Sequence, residues 1–226
     1  MSNRAYSCFI FAGPTLSQSK ISTDYLLREM NDIKVCPPVK RGDIEHLVEV
    51  SAPSTLVVVD GTFHQSLAVS HAELRSALSQ GWQIWGLSSM GAIRAYEMRY
   101  LGMKGFGSVY EYFCGENDFK DDEVALLHEN TFPYTAFTEP LVHIRQGLKY
   151  LLEKQIINEE EYLEIIIKFE SMWFGERTLH LLKAMILDIR PNIKAYIDEW
   201  VKNFDVFQIK SHDLDEFLRK KPWNNH

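Results

Sequence analysis

The chain has 226 residues, room for one large domain or a domain with a helical extension, and 46% of them are apolar, which excludes a disordered polymer. Its formal net charge is −7 and its longest basic cluster is Arg219-Lys220-Lys221 at a solvated helix end, so nucleic acid is not expected as a partner, because neutralising phosphates needs a basic surface. The three cysteines, Cys8, Cys36 and Cys114, form no CxxC pair or Cys/His ligand spacing, which argues against a metal site and fits a reducing cytoplasm, and no stretch approaches the ~18 apolar residues of a membrane span.

Along the first half, strands alternate with helices. Cys8-Phe9-Ile10-Phe11-Ala12 is a short apolar run stopped by Gly13-Pro14, a strand followed by a turn. The apolar run is too short for the core of a signal peptide. Residues 19–30 read as a helix with Tyr25, Leu26 and Met30 inward, and Ile33-Lys34-Val35 as a weak strand ended by Pro37-Pro38. Asp43 is placed to cap a helix over 44–50. Thr55-Leu56-Val57-Val58-Val59 is β-branched and apolar on both faces, the pattern of a central parallel strand. An amphipathic helix over 69–80, with Leu74, Ala77 and Leu78 inward, ends at Gly81. A strand at 83–87 follows, and Ser89 is expected to cap a helix reaching about Tyr100.

The second half has a helical period. Leu141, Ile144, Leu148, Leu151 and Leu152 share one face. Asn158 with Glu161 forms a capping pair for a helix carrying Tyr162, Ile165, Ile166, Phe169 and Trp173 on one side. Another helix begins with Leu179, Leu182 and Met185 and breaks at Arg190-Pro191, and Ile193, Tyr196, Ile197, Trp200 and Phe204 mark one more. The expected fold is therefore α/β: an open, mostly parallel sheet with crossover helices, followed by a helical C-terminal half packed on it. The expected division is an α/β core over 1–125 and a helical region over 126–226 within the same compact unit.

In open α/β sheets, ligands bind at the carboxyl ends of the strands. Three strand ends carry polar or glycine-rich turns here: Gly13-Pro14-Thr15, Asp60-Gly61 and Ser88-Ser89-Met90-Gly91. With parallel strands they share one rim. Leu87-Ser88-Ser89-Met90-Gly91 has the outline of a nucleophile elbow, although Leu87 replaces its first glycine. Ser89 is then either a nucleophile at a helix N-terminus that favours an anion, or only a helix cap. A serine nucleophile needs a base. His71 is the first choice, with His64 and His128 as rivals, each of which can equally be structural. Asp121-Asp122-Glu123 reads as a helix start, as a general base or as a ligand for a hard cation. Arg94 and Arg145 interrupt apolar helical surfaces and are candidates for holding an anion. A nucleotide site is not expected, since neither GxGxxG nor GxxxxGK[ST] occurs.

At these residues the sequence resembles the TfuA-like family. The resemblance rests on Phe11-Ala12-Gly13-Pro14-Thr15-Leu16, Pro37-Pro38 with Gly42-Asp43, Asp60-Gly61-Thr62-Phe63-His64-Gln65 and His71-Ala72-Glu73-Leu74. It continues through Ser88-Ser89-Met90-Gly91-Ala92-Ile93-Arg94-Ala95-Tyr96-Glu97, Gly102-Met103-Lys104-Gly105-Phe106-Gly107, Asp121-Asp122-Glu123-Val124-Ala125 and Leu141-Val142-His143-Ile144-Arg145. It covers about the first two thirds of the chain, and the Ser-Ser-Met-Gly-Ala and Asp-Asp-Glu-Val-Ala stretches are its specific parts. The family usually has a small residue where Leu87 stands and alanine where Tyr96 stands.

The resemblance implies a partner of a YcaO-type enzyme in peptide backbone thioamidation. In that reading it hydrolyses the C-terminal thiocarboxylate of a ThiS-like sulfur-carrier protein to release sulfide, without a cofactor. The implied catalytic set is Ser89, His71, Asp60, Asp121, Asp122 and Glu123. The implied substrate-binding set is Gly13, Thr15, Gly61, Gln65, Ser88, Met90, Gly91, Arg94 and Arg145. The alternative within the same resemblance is a non-catalytic adaptor that docks the YcaO enzyme to its precursor peptide or to the carrier.

Overall fold

The computed structural model describes residues 6–21, 26, 30, 32–62, 66–115 and 120–224. His64, Gln65 and most of the helix expected over 19–30 lie outside them, although Leu26 and Met30 are described and buried. The strands are β1 (Cys8–Phe11), β2 (Ile33–Cys36), β3 (Thr55–Val58), β4 (Gln83–Leu87) and β5 (Lys104–Phe106). They form a five-stranded sheet of order β2-β1-β3-β4-β5 in which every pair is parallel. Between the strands lie the short helix α1 (Pro14–Ser17), α2 (Asp43–Val50), α3 (His71–Ser79) and α4 (Met90–Met98), and α5 (Ser108–Gly115) follows β5.

β5 is an addition to the expected strands. It has three residues, lies at the sheet edge and exposes Lys104, so it carries neither a β-branched run nor a buried face to announce it. A second correction concerns Asp43. Gly42, at φ 90, takes the N-cap position of α2, and Asp43 lies inside the first turn, where its carboxylate accepts from the Lys40 N–H at 2.9 Å.

The chain divides into two compact units, Met1–Phe119 with Lys210–His226, and Lys120–Ile209. In the first, alternate strand residues face opposite ways. Phe9, Phe11, Leu56, Val58 and Ile84 pack with Ile44 and Leu47 of α2, Leu74 and Ala77 of α3, and Ala95 and Met98 of α4. Cys8, Ile10, Val57 and Leu87 face the other side, where Leu214, Phe217 and Leu218 of the last helix cover them. The second unit contains α6 (Leu141–Glu153), α7 (Glu159–Ser171), α8 (Leu179–Ile189) and α9 (Lys194–Lys202). Leu148, Leu151, Ile165, Phe169, Leu182, Ile186, Ile197, Trp200 and Phe204 form its core. The Asn158–Glu161 capping box opens α7 as expected. Trp173 does not join the buried face, because α7 stops at Ser171 and the ring stands 58% exposed.

The last helix, α10 (Ile209–Lys220), belongs with the sheet. Its Asp213 is buried and caps α5, accepting from the N–H groups of Ser108 (2.8 Å) and Val109 (2.9 Å). Burial pushes its carboxyl up to about 6, against the pull of those hydrogen bonds. A carboxyl raised on folding holds its proton more tightly in the native state. Its contribution to stability is therefore complete below its ordinary value near ~4 and is lost as pH rises through about 6. The wild type should gain on Asp213→Asn by about 2 kcal/mol as pH falls from about 7 to about 4. Urea melts of both proteins across that range check this, and a pH-independent difference would refute it.

Candidate active site

The parallel sheet places the turns after β1, β3 and β4 side by side on its carboxyl edge, in the strand order β1-β3-β4. The first two are tied to each other. The buried Asp60 carboxylate accepts from the Gly13 N–H (2.8 Å), the Thr15 N–H (3.0 Å) and the Thr15 hydroxyl (2.6 Å). Gly13, Thr15 and Asp60 thus hold the rim in shape. Their donors are engaged by Asp60 and do not face an incoming anion.

The turn after β4 is built on close backbone approach. A Cβ on Gly91 would overlap the Val58 carbonyl, and one on Gly86 would overlap the carbonyl of Gly91. The Gly91 N–H donates to Val59 O at 3.1 Å. The first turn of α4 therefore rests directly on β3 and β4. Gly86 supplies the absence of a side chain that the elbow outline assigns to position 87, which leaves Leu87 free to be a core residue. Gly61 is less constrained, since a Cβ there would meet the Met90 sulfur, part of a flexible side chain that can turn away.

Ser88 takes the left-handed conformation of the elbow, at φ 64, and Ser89 occupies the N-cap position of α4. The cap expected from sequence does not form. Ser89 is only 3% exposed, yet its side chain makes no capping bond, and among the described residues its hydroxyl has no hydrogen-bond partner. The N–H groups of Gly61 and Met90 also lack one among the described residues, although both residues are buried. Buried backbone donors are nearly always satisfied. The Met90 N–H follows Ser89 in the chain and the Gly61 N–H lies on the turn after the adjacent strand β3, the kinds of donor that an oxyanion site draws on.

The structure does not bring His71 to Ser89 through a hydrogen bond. His71 Nε2 lies 2.8 Å from Glu97 Oε2, and Glu97 is two turns along α4, about 12 Å of helical rise from Ser89. Arg94 joins the same group, with Nη1 donating to Glu97 Oε2 at 2.6 Å and Nε to Val69 O at 3.2 Å. Glu97 was not singled out from sequence as a site residue. Its spacing of three from Arg94 on one helix was the available signal.

The remaining expected residues lie in the second unit and are paired there. Asp121, Asp122 and Glu123 form a 3₁₀ turn. Glu123 binds Arg145 through Nε (3.0 Å) and Nη2 (2.8 Å), and Arg145 also pairs with Glu170. Asp122 binds Arg177, which sequence reasoning passed over. Arg177 is fully buried and donates to Phe169 O (3.0 Å), Asp122 O (2.9 Å), Met172 O (2.9 Å) and Asp122 Oδ2 (2.7 Å). Arg177→Met should cost about 3 kcal/mol by leaving these acceptors unpaired. Chemical denaturation measures it, and a loss under about 1 kcal/mol would show that the network adjusts without it.

The rim carries a tied loop after β1 and β3, and after β4 an elbow whose Ser89 hydroxyl is unbonded among the described residues. A family model described as TfuA-like protein matches residues 60–178, more than half of the chain. The chain belongs to the TfuA-like family. A search of curated proteins finds no match. The TfuA-like match opens at Asp60 and takes in His71, the Ser88–Ser89 elbow, Arg94, Glu97, Arg145 and Arg177, while β1, β2 and α10 lie outside it. Among the described residues, no helix is long and apolar enough to cross a membrane.

Proposed function

We propose that this TfuA-like chain serves a YcaO-type enzyme in peptide backbone thioamidation by hydrolysing the C-terminal thiocarboxylate of a ThiS-like sulfur-carrier protein. The observation that carries the reading is the Ser89 hydroxyl, unbonded among the described residues at the start of α4, with the Met90 N–H next in the chain and the Gly61 N–H on the turn after the adjacent strand. A thiocarboxylate is a weakly electrophilic anion, and attack on its carbon adds negative charge to the carbonyl oxygen. The start of a nine-residue helix and two donors that have no partner among the described residues stabilise that charge. Ser89 Oγ forms the new bond to carbon while its proton passes to the substrate sulfur. The C–S bond then breaks and hydrosulfide leaves. Water cleaves the acyl-serine, so that thiocarboxylate and water become carboxylate and hydrogen sulfide. In this reading the substrate's own sulfur takes the proton, since among the described residues no hydrogen bond joins a histidine to Ser89.

Arg94 is held at Val69 and Glu97, and in this reading it binds the anionic tail only by exchanging the Glu97 carboxylate for it. The test is to mix the purified chain with thiocarboxylated carrier and follow conversion to the carboxylate by intact mass, with sulfide measured in parallel. No conversion above the protein-free control overturns the reading. Supplying free sulfide to the YcaO enzyme separates the adaptor alternative, since an adaptor remains necessary and a sulfide-releasing enzyme does not.

A further inference from the structure

The residue before the proposed nucleophile is held in an unfavourable backbone conformation by a contact from the far end of the chain. Ser88 is fully buried at φ 64, a region that costs a non-glycine residue free energy unless its surroundings hold it there. Its hydroxyl donates to the backbone carbonyl of Lys210 at 2.7 Å. Lys210 lies in the first turn of α10, and the same helix grips two more turns on the sheet edge. Asp213 binds the N–H groups of Ser108 and Val109 after β5 and lies against Gly107, where a Cβ would overlap its carboxyl. Asp215 accepts from the Ser19 hydroxyl and from the Lys20 N–H (3.2 Å), in the segment that follows α1. Leu214, Phe217 and Leu218 anchor α10 on the sheet between these contacts.

We propose that Ser88 is a positioning residue, and that its hydrogen bond to the Lys210 carbonyl of α10 sets the direction of the Ser89 hydroxyl. This rests on the reading of Ser89 as the nucleophile. A serine Oγ must meet the substrate carbon within a few tenths of an ångström of the productive geometry. Among the described residues Ser89 forms no side-chain bond of its own to fix it, so its placement is set here by the backbone on either side. On one side that backbone is pinned by Gly91 on β3, and on the other by Ser88 on α10. Residues outside the family match thereby complete the elbow inside it.

The experiment compares Ser88→Ala, Ser88→Gly and wild type in sulfide release from thiocarboxylated carrier, in thermal melting, and in amide hydrogen exchange of the 86–93 segment. Glycine accepts φ 64 without strain and alanine does not, so the pair separates loss of the clamp from backbone strain. Both folded variants should lose kcat about tenfold or more, with KM for the carrier within about twofold. Exchange at 86–93 should quicken in both. A folded Ser88→Gly protein with wild-type kcat overturns the proposal, since the clamp would then only hold structure. A larger loss at Ser88 than at Ser89 also overturns it, because Ser88 would then be the nucleophile. If the wild type releases no sulfide, the function reading fails by itself. Exchange still decides the clamp, and unchanged exchange at 86–93 in Ser88→Gly refutes it.

Discussion

Ser89→Ala is expected to lower sulfide release from thiocarboxylated carrier by about 10³-fold or more, with carrier affinity and melting temperature close to wild type. The size follows from removing the atom that bonds to carbon while leaving the oxyanion donors in place. Enzymes stripped of a serine nucleophile keep only what the oxyanion site and binding contribute. Stability should change by less than about 0.5 kcal/mol. A helix that loses a capping serine ordinarily drops by about 1 kcal/mol, but the Ser89 side chain makes no capping bond in α4. The two readings of this serine therefore differ in both measurements. A nucleophile gives a dead, stable variant, and a cap gives an active, weakened one. Full turnover in a folded Ser89→Ala protein would end the nucleophile assignment and leave direct attack by water.

Gly91→Val should abolish the native fold, or cost more than about 4 kcal/mol if any native protein forms. The Gly91 Cα faces the Val58 carbonyl so closely that a first side-chain carbon would occupy the same space, and the obstacle is backbone rather than a side chain that can turn away. Relief requires α4 to lift from β3. That movement breaks the hydrogen bond from the Gly91 N–H to Val59 O and opens the contact with Gly86. Met90, Ala95 and Met98 would lose their packing against the sheet together. Gly115→Ala is the control, since a Cβ at the end of α5 meets nothing within 4 Å. It should change stability by no more than about 1 kcal/mol. Soluble yield and thermal melting compare the two, and a Gly91→Val protein that melts near wild type would show that the elbow tolerates a displaced helix.

Three of the four strands that sequence reading found share one property. β1, β3 and β4 combine apolar or β-branched runs with a glycine or polar turn immediately after, so their type and end are written locally. β5 escaped because an edge strand of three residues needs neither. The rim turns were legible for the same reason, as glycine, proline, aspartate and serine mark turns by their own chemistry. The partners of those residues were not. The family resemblance put Asp60 in the catalytic set, and in the fold its carboxylate accepts three hydrogen bonds from the β1 turn. His71 looked like a base for a serine and is bound to Glu97. Asp122 and Glu123 looked like one acidic run, and the fold sends them to two different arginines.

By itself the sequence determined the α/β class, the alternation of strands and helices in the first half, the helical second half with its Asn158–Glu161 cap, and the family. Those follow from periodicity, turn chemistry and motif, which act over a few residues. Only the tertiary structure decided the order β2-β1-β3-β4-β5 and the return of α10 to the sheet, where its carbonyl at Lys210 meets Ser88 across more than a hundred residues of chain. Hydrogen bonds to main-chain atoms are available at every residue, so no side-chain pattern announces which carbonyl a serine will find. That choice is made when apolar residues such as Leu214 and Phe217 bury themselves on the sheet and carry the backbone beside them into place.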